Sequence, residues 1–169
     1  LSEGEKQAGR VPDATEALDL PDWLITRFRA SLGTAAEDTA QALRSRADVF
    51  LRVNLLRGPV EAALTELASE GILAESHPLS PTALRVTQGA RAVSRSAAYL
   101  SGVVELQDAA SQAVVDSLPL TSGQSVLDYC AGGGGKALAM AAYLGGQTVD
   151  AHDAAAQRMK DLPSRAVRA

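Results

Sequence analysis

The sequence is poor in the residues that build disulfides and metal centres. Its 169 residues include one cysteine and two histidines. A single cysteine cannot form an internal disulfide framework, and two histidines without a second cysteine leave no zinc cluster. No apolar run approaches the roughly 18–20 residues that a membrane helix needs. The first residue is Leu1, and the polar start through Arg10 has no apolar core of a signal type. These absences set the expectation of a cytoplasmic protein with no membrane and no metal partner, seen as a fragment. What is present is ordinary for a globular chain: 46% hydrophobic and 21% charged residues, in a length that fits one domain or two small ones.

Lysine is also missing from a long stretch. Residues 23–105 hold nine arginines (27, 29, 44, 46, 52, 57, 85, 91 and 95), no lysine and eight acids. A guanidinium forks onto phosphate and stacks on bases, so this stretch could meet nucleic acid. The plainer reading is an arginine-rich genome with solvated helix faces. Residues 1–22 carry a net charge of −4 and residues 106–169 a net of −1. With a pI near 5.2, the chain as a whole is not an autonomous high-affinity nucleic-acid binder.

Periodicity divides the chain into three parts. Residues 1–20 read as a polar tail. Residues 21–105 read as a small α+β unit. It opens with a helix after Pro21, with Leu24, Phe28 and Leu32 at helical spacing and Gly33 as its C-terminal cap. Thr34 and Glu37 have capping-box spacing for a second helix. Val49, Leu51, Val53 and Leu55 alternate with Phe50, Arg52, Asn54 and Leu56, which predicts a strand. Gly58-Pro59 ends it, and a helix of period 3.6 runs on to Gly71. Short strands are expected at residues 84–87 and 103–106. Residues 106–169 change pattern. A helix from Asp108 precedes a buried strand at residues 125–129, the loop Cys130-Ala-Gly-Gly-Gly-Gly-Lys136, a helix to Leu144, a second strand to His152, and a last helix interrupted by Pro163. Strand, glycine loop, helix, strand is the first βαβ of a parallel sheet. A parallel sheet stopped after two strands leaves an open edge and little buried area, which is why the length reads as a truncation.

Four glycines between strand and helix would let a ligand approach bare backbone at a helix N-terminus. A nucleoside-triphosphate P-loop needs Gly at position 130 and Ser or Thr at 137, where Cys130 and Ala137 stand, so it is excluded. A dinucleotide fingerprint is matched by Gly132, Gly134 and Ala137, with Asp150 or Asp153 following. Asp128, however, would repel a pyrophosphate in a poorly screened cleft. The same carboxylate suits an ammonium or sulfonium, Lys136 suits a carboxylate, and Asp153 suits ribose hydroxyls. S-adenosyl-L-methionine carries all of these groups.

At this point a family resemblance becomes visible. Val126-Leu-Asp-Tyr-Cys-Ala-Gly-Gly-Gly-Gly-Lys136 resembles the cofactor motif V-L-D-x-C-A-A-P-G-G-K-T of the RsmB/Sun-type RNA (cytosine-5) methyltransferases. Glu105-Leu-Gln-Asp-Ala-Ala-Ser-Gln112 is similar to that family's Q-D-x-A-S-Q element. Leu51-Arg-Val-Asn54 resembles its L-R-x-N strand, and Pro21-Asp-Trp-Leu24 its P-x-W-L helix start. Asp153 with Arg158-Met159 resembles its acidic cofactor residue and following R-L pair. Gly132, Gly133 and Ala137 depart from the usual Ala, Pro and Thr, and a glycine-richer loop costs more to order. The resemblance implies a Rossmann-like S-adenosylmethionine-dependent methyltransferase domain, of which only the first part is present, preceded by a small α+β RRM-like domain. It implies cofactor contacts from Cys130, Ala131, Gly132, Gly133, Gly134, Gly135, Lys136 and Asp153, and an RNA-positioning role for residues 21–105. The expected partner is RNA, in particular ribosomal RNA. Trp23 reads as a packing anchor rather than a base-stacking platform.

Carbon 5 of cytosine becomes nucleophilic only after a thiolate adds at carbon 6, and a base must then remove the carbon-5 proton. The resembling family uses two cysteines in Pro-Cys and Thr-Cys motifs that lie well after the second strand. No catalytic residue is therefore expected in this chain. Its one thiol, Cys130, falls in the cofactor loop and is expected as a small buried side chain. The alternatives are a methyltransferase of another substrate class, a dinucleotide-dependent oxidoreductase, and a binding module without catalysis.

Overall fold

A computed structural model describes residues 2–4, 9, 12, 13 and 16–169, so the expected polar tail lies partly outside the described residues. The chain forms two compact units, Leu1–Ala47 and Asp48–Ala169.

The first unit is helical. A 3₁₀ turn at Glu16–Leu18 leads to α1 (Asp22–Leu32), a second 3₁₀ turn at Gly33–Ala35, and α2 (Ala36–Leu43). Pro21 precedes α1 with φ −67°, and Gly33 ends it with a backbone N–H that donates to Arg29 O. Leu18, Ile25 and Ala40 form the buried cluster, with Leu20 and Phe28 against it. Two expectations fail here. The Thr34–Glu37 capping box does not form, because Thr34 is taken up in the 3₁₀ turn and Glu37 pairs with Arg29 at 3.1 Å. Trp23 is not a packing anchor: it is 63% exposed, with the Arg27 guanidinium 6.0 Å from its ring centroid.

The second unit starts with β1 (Val49–Val53), α3 (Val60–Ser69), β2 (Leu73–Ser76), β3 (Ala83–Gln88), a 3₁₀ segment at Ala90–Arg95, α4 (Ala97–Leu100) and β4 (Val104–Leu106). The strand order is β2-β3-β1-β4 and every pairing is antiparallel, which is the split βαβ arrangement. α3 turns Ala63 and Leu67 onto the sheet, where they meet Leu51, Val53, Leu84 and Val104 in the core. Ser96 caps α4 by accepting the Tyr99 N–H. β2 was not anticipated from the sequence. It is an exposed edge strand without clean alternation, and an Arg85–Glu75 pair at 2.6 Å ties it to β3.

α5 (Ala109–Asp116) follows directly, capped by Asp108, whose carboxylate accepts the Ala110 N–H at 2.8 Å. Then come β5 (Val126–Asp128), α6 (Gly135–Tyr143), β6 (Val149–Ala151), a 3₁₀ turn at Ala156–Met159 and α7 (Leu162–Arg168). β5 and β6 pair in parallel, as the βαβ reading requires. Val115, Ala139 and Met140 pack on Val126 and Val149, covering one face of this pair. Pro163 sits in the first turn of α7, so the expected last helix is divided into a 3₁₀ turn and a separate helix. No described helix is long and apolar enough to cross a membrane, and no group of three His, Cys, Asp or Glu among the described residues could hold a metal.

Candidate cofactor site

The parallel register builds the site. Val126 faces Val149 and Asp128 faces Ala151. The ladder continues past both strands, with His152 N–H donating to Asp128 O and Ala131 N–H to His152 O, each at 2.9 Å. That continuation delivers Asp153 to the foot of the glycine loop. Its Oδ2 accepts the Gly132 N–H at 3.0 Å, and its Oδ1 accepts the Ala155 N–H at 2.9 Å. The Arg158 guanidinium lies 3.3 Å from Oδ2, and the Asp153 side chain is 4% exposed. The Ala155 N–H, and with it Gly132 and Arg158, holds this carboxyl below the ordinary aspartate range, against the opposing effect of burial. In this structure Asp153 thus holds the loop.

Of the eight residues expected at the site, the loop Cys130–Lys136 and Asp153 are brought together. Cys130 is exposed, which corrects the expectation of a small buried thiol: it lies in the turn past the end of β5 and is not enclosed by the packing that covers the strand. Lys136, in the first turn of α6, is also exposed. Asp128 is buried at the strand end, and its Oδ2 has no hydrogen-bond partner, an unmet acceptor beside the loop. Just past the two strand ends Tyr129 stacks on His152 with ring centroids 4.7 Å apart.

The glycines have structural work of their own. Gly132 and Gly134 adopt φ of 51° and 79°, left-handed values that a side chain resists. A Cβ on Gly134 would stand 2.1 Å from Leu162 Cδ1, and one on Gly133 would stand 2.9 Å from the Arg165 guanidinium. α7 therefore fills the side of the loop that Cβ atoms would occupy. On the loop's far end α6 begins, and its first-turn N–H groups lack intrahelical acceptors.

Sequence reasoning missed the residues behind the loop. Arg52, placed by alternation on the outer face of β1, is 4% exposed because the glycine loop covers that face, and it donates to Gly135 O at 3.0 Å. Burial pushes its guanidinium down to about 10, Glu105 opposing and Arg165 adding to the shift, so it stays charged at neutral pH. Gln112, 1% exposed, donates to Leu51 O at 3.1 Å and Gln107 O at 2.9 Å, and accepts from Thr82 Oγ1 at 3.0 Å. The L-R-x-N and Q-D-x-A-S-Q segments contained both residues. Their function as a joint between the antiparallel sheet and the βαβ needed the fold.

These features define a class: a ferredoxin-like domain followed by the first part of a Rossmann-like methyltransferase domain. Residues 20–93 match the family model described as the ferredoxin-like domain of RsmF/B-like methyltransferases. The chain is 34% identical over 126 residues to ribosomal RNA small subunit methyltransferase B of Xanthomonas campestris pv. campestris, covering 75% of this chain and 29% of that protein. It is 32% identical over 139 residues to the protein of that name in Cronobacter sakazakii, covering 82% of this chain and 32% of the relative. Among solved structures, PH0851 superposes with a TM-score of 0.81 at 28% identity, over 97% of this chain and 39% of that one. A methyltransferase homolog from Pyrococcus horikoshii superposes with a TM-score of 0.77 at 22% identity, over 92% of this chain and 52% of its own. The chain belongs to the RsmB/Sun methyltransferase family. It spans about a third or less of the length of the curated relatives it matches.

Proposed function

We propose that the chain is the RNA-positioning and cofactor-binding part of an S-adenosylmethionine-dependent RNA (cytosine-5) methyltransferase that acts on small-subunit ribosomal RNA. The observation that carries this reading is the unmatched Asp128 Oδ2, buried at the end of a parallel strand beside a glycine loop. A buried acceptor of this kind suits a ligand that brings a donor, and a carboxylate disfavours the pyrophosphate of a dinucleotide. The residues present fit the cofactor: Asp128 would face its ammonium, Lys136 its carboxylate, and the Cys130–Gly135 backbone its length. Asp153, already engaged with Gly132, would meet the ribose hydroxyls through its remaining lone pairs. When bound, S-adenosylmethionine supplies a methyl group on sulfonium. This chain's residues bind and orient it, and residues 21–105 position RNA whose target base is unstacked. Cys130 is not assigned a catalytic role, because it belongs to the cofactor loop, and the cysteine chemistry at carbon 6 is assigned to the parts of the relatives that this chain does not cover.

Calorimetry of this chain tests the cofactor reading. S-adenosylhomocysteine should bind and NADH should not; the reverse result would refute it. Methyl incorporation by the product of the complete open reading frame should go to carbon 5 of a cytosine in small-subunit RNA, and methylation of protein alone would remove the RNA assignment.

A further inference from the structure

We propose that Glu105, in the middle of β4, is a positioning residue for the glycine loop, so that the antiparallel sheet sets the loop's cofactor affinity through arginines that hold the loop's carbonyls. The inference rests on the S-adenosylmethionine reading above. Glu105 is 5% exposed and faces Arg52 directly in the β1–β4 register. Its two oxygens accept from Arg168 Nη2 at 2.9 and 2.7 Å, and Arg165 Nε lies 3.4 Å from Oε2. Arg165 also donates to Gly133 O, and Arg52 donates to Gly135 O. Two carbonyls of the loop, two residues apart, are thus held by Arg165, which Glu105 pairs with, and by Arg52, which stands opposite Glu105 in the register.

The planarity of the peptide bond makes this grip a matter of ligand geometry. Fixing Gly133 C=O fixes the Gly134 N–H, which closes the loop onto Ala131 O at 2.8 Å, and fixing Gly135 C=O fixes the Lys136 N–H, which lies in the first turn of α6 and lacks an intrahelical acceptor. The cluster holds three guanidiniums and one carboxylate. With Glu105 neutralised, Arg52, Arg165 and Arg168 repel one another in a site with little solvent, and the carbonyls lose their partners together. The loop would then sample orientations that its left-handed glycines permit, and the cofactor would have to select among them.

The test uses this chain, titrated with S-adenosylhomocysteine by calorimetry, with hydrogen exchange of the ligand-free loop amides read in parallel. Glu105→Gln and Arg165→Met should each weaken binding by about tenfold, and the double variant should be no weaker than the poorer single one, because both act on one network. Glu105→Asp should recover part of the loss. Exchange should rise at residues 132–136 and stay unchanged in β1 and β3. Unchanged affinity in Glu105→Gln, additive losses, or faster exchange throughout the sheet would overturn the proposal. If the unsubstituted chain binds no cofactor, the cofactor reading falls and the exchange pattern still decides the positioning claim. If Glu105→Gln does not fold, Arg165→Met carries the same test from the partly exposed α7.

Discussion

Gly134→Ala puts the loop's construction to a quantitative test. The backbone at Gly134 has φ 79°, and a side chain in the left-handed region costs roughly 1–2 kcal/mol. The added Cβ would also stand 2.1 Å from Leu162 Cδ1, 3.1 Å from its Cγ and 3.3 Å from its Cδ2, all inside normal contact distance. Because the obstacle is the end of a flexible side chain, Leu162 can swing aside, giving up about 1–2 kcal/mol of the burial it had. The expected total is about 2–4 kcal/mol. In a Leu162→Ala background the steric part vanishes and only about 1–2 kcal/mol remains. Urea unfolding of the four proteins, followed by circular dichroism, measures the coupling. A coupling below about 0.5 kcal/mol would show that α7 does not rest on the loop as described. A costless Gly134→Ala would refute the backbone argument as well.

Two further expectations follow from buried polar groups. Gln112→Leu keeps the volume but leaves Leu51 O, Gln107 O and Thr82 Oγ1 without this partner, so unfolding should show a loss of about 2–4 kcal/mol; a loss under about 0.5 kcal/mol would mean the joint is dispensable. Asp153 has its pKa lowered in the folded state, so its hold on the loop is complete above the ordinary carboxylate range and is lost only as pH falls through the lowered value. The Gly132 amide resonance should therefore stay fixed from pH 7 to about 4.5 and move only in stronger acid, and a midpoint at or above the ordinary aspartate value would contradict the staple.

Local pattern made much of the architecture legible. Alternation around Leu51 and Val53, the helical spacing of Ala63 and Leu67, the helix start at Asp108 and the strand–glycine–helix order all correspond to observed elements, because each depends on neighbours a few residues away. β2 escaped because an exposed edge strand owes its existence to β3 and carries little pattern of its own. The capping box at Thr34 failed because a 3₁₀ turn and the Arg29–Glu37 pair satisfied the same groups differently.

By itself the sequence determined the motif: which residues form a cofactor-type loop, that an aspartate follows the second strand, and that the chain carries the marks of the RsmB/Sun family. Only the tertiary structure decided what those residues hold. Asp153 reaches the Gly132 N–H because parallel pairing brings the two strand ends into line. Arg52 is buried because the glycine loop lies on its face of the sheet, and Glu105, opposite it in the register, pairs with Arg165 and Arg168 of α7. Such contacts join positions 60 to 83 residues apart in the chain, and no local periodicity encodes a distance of that kind.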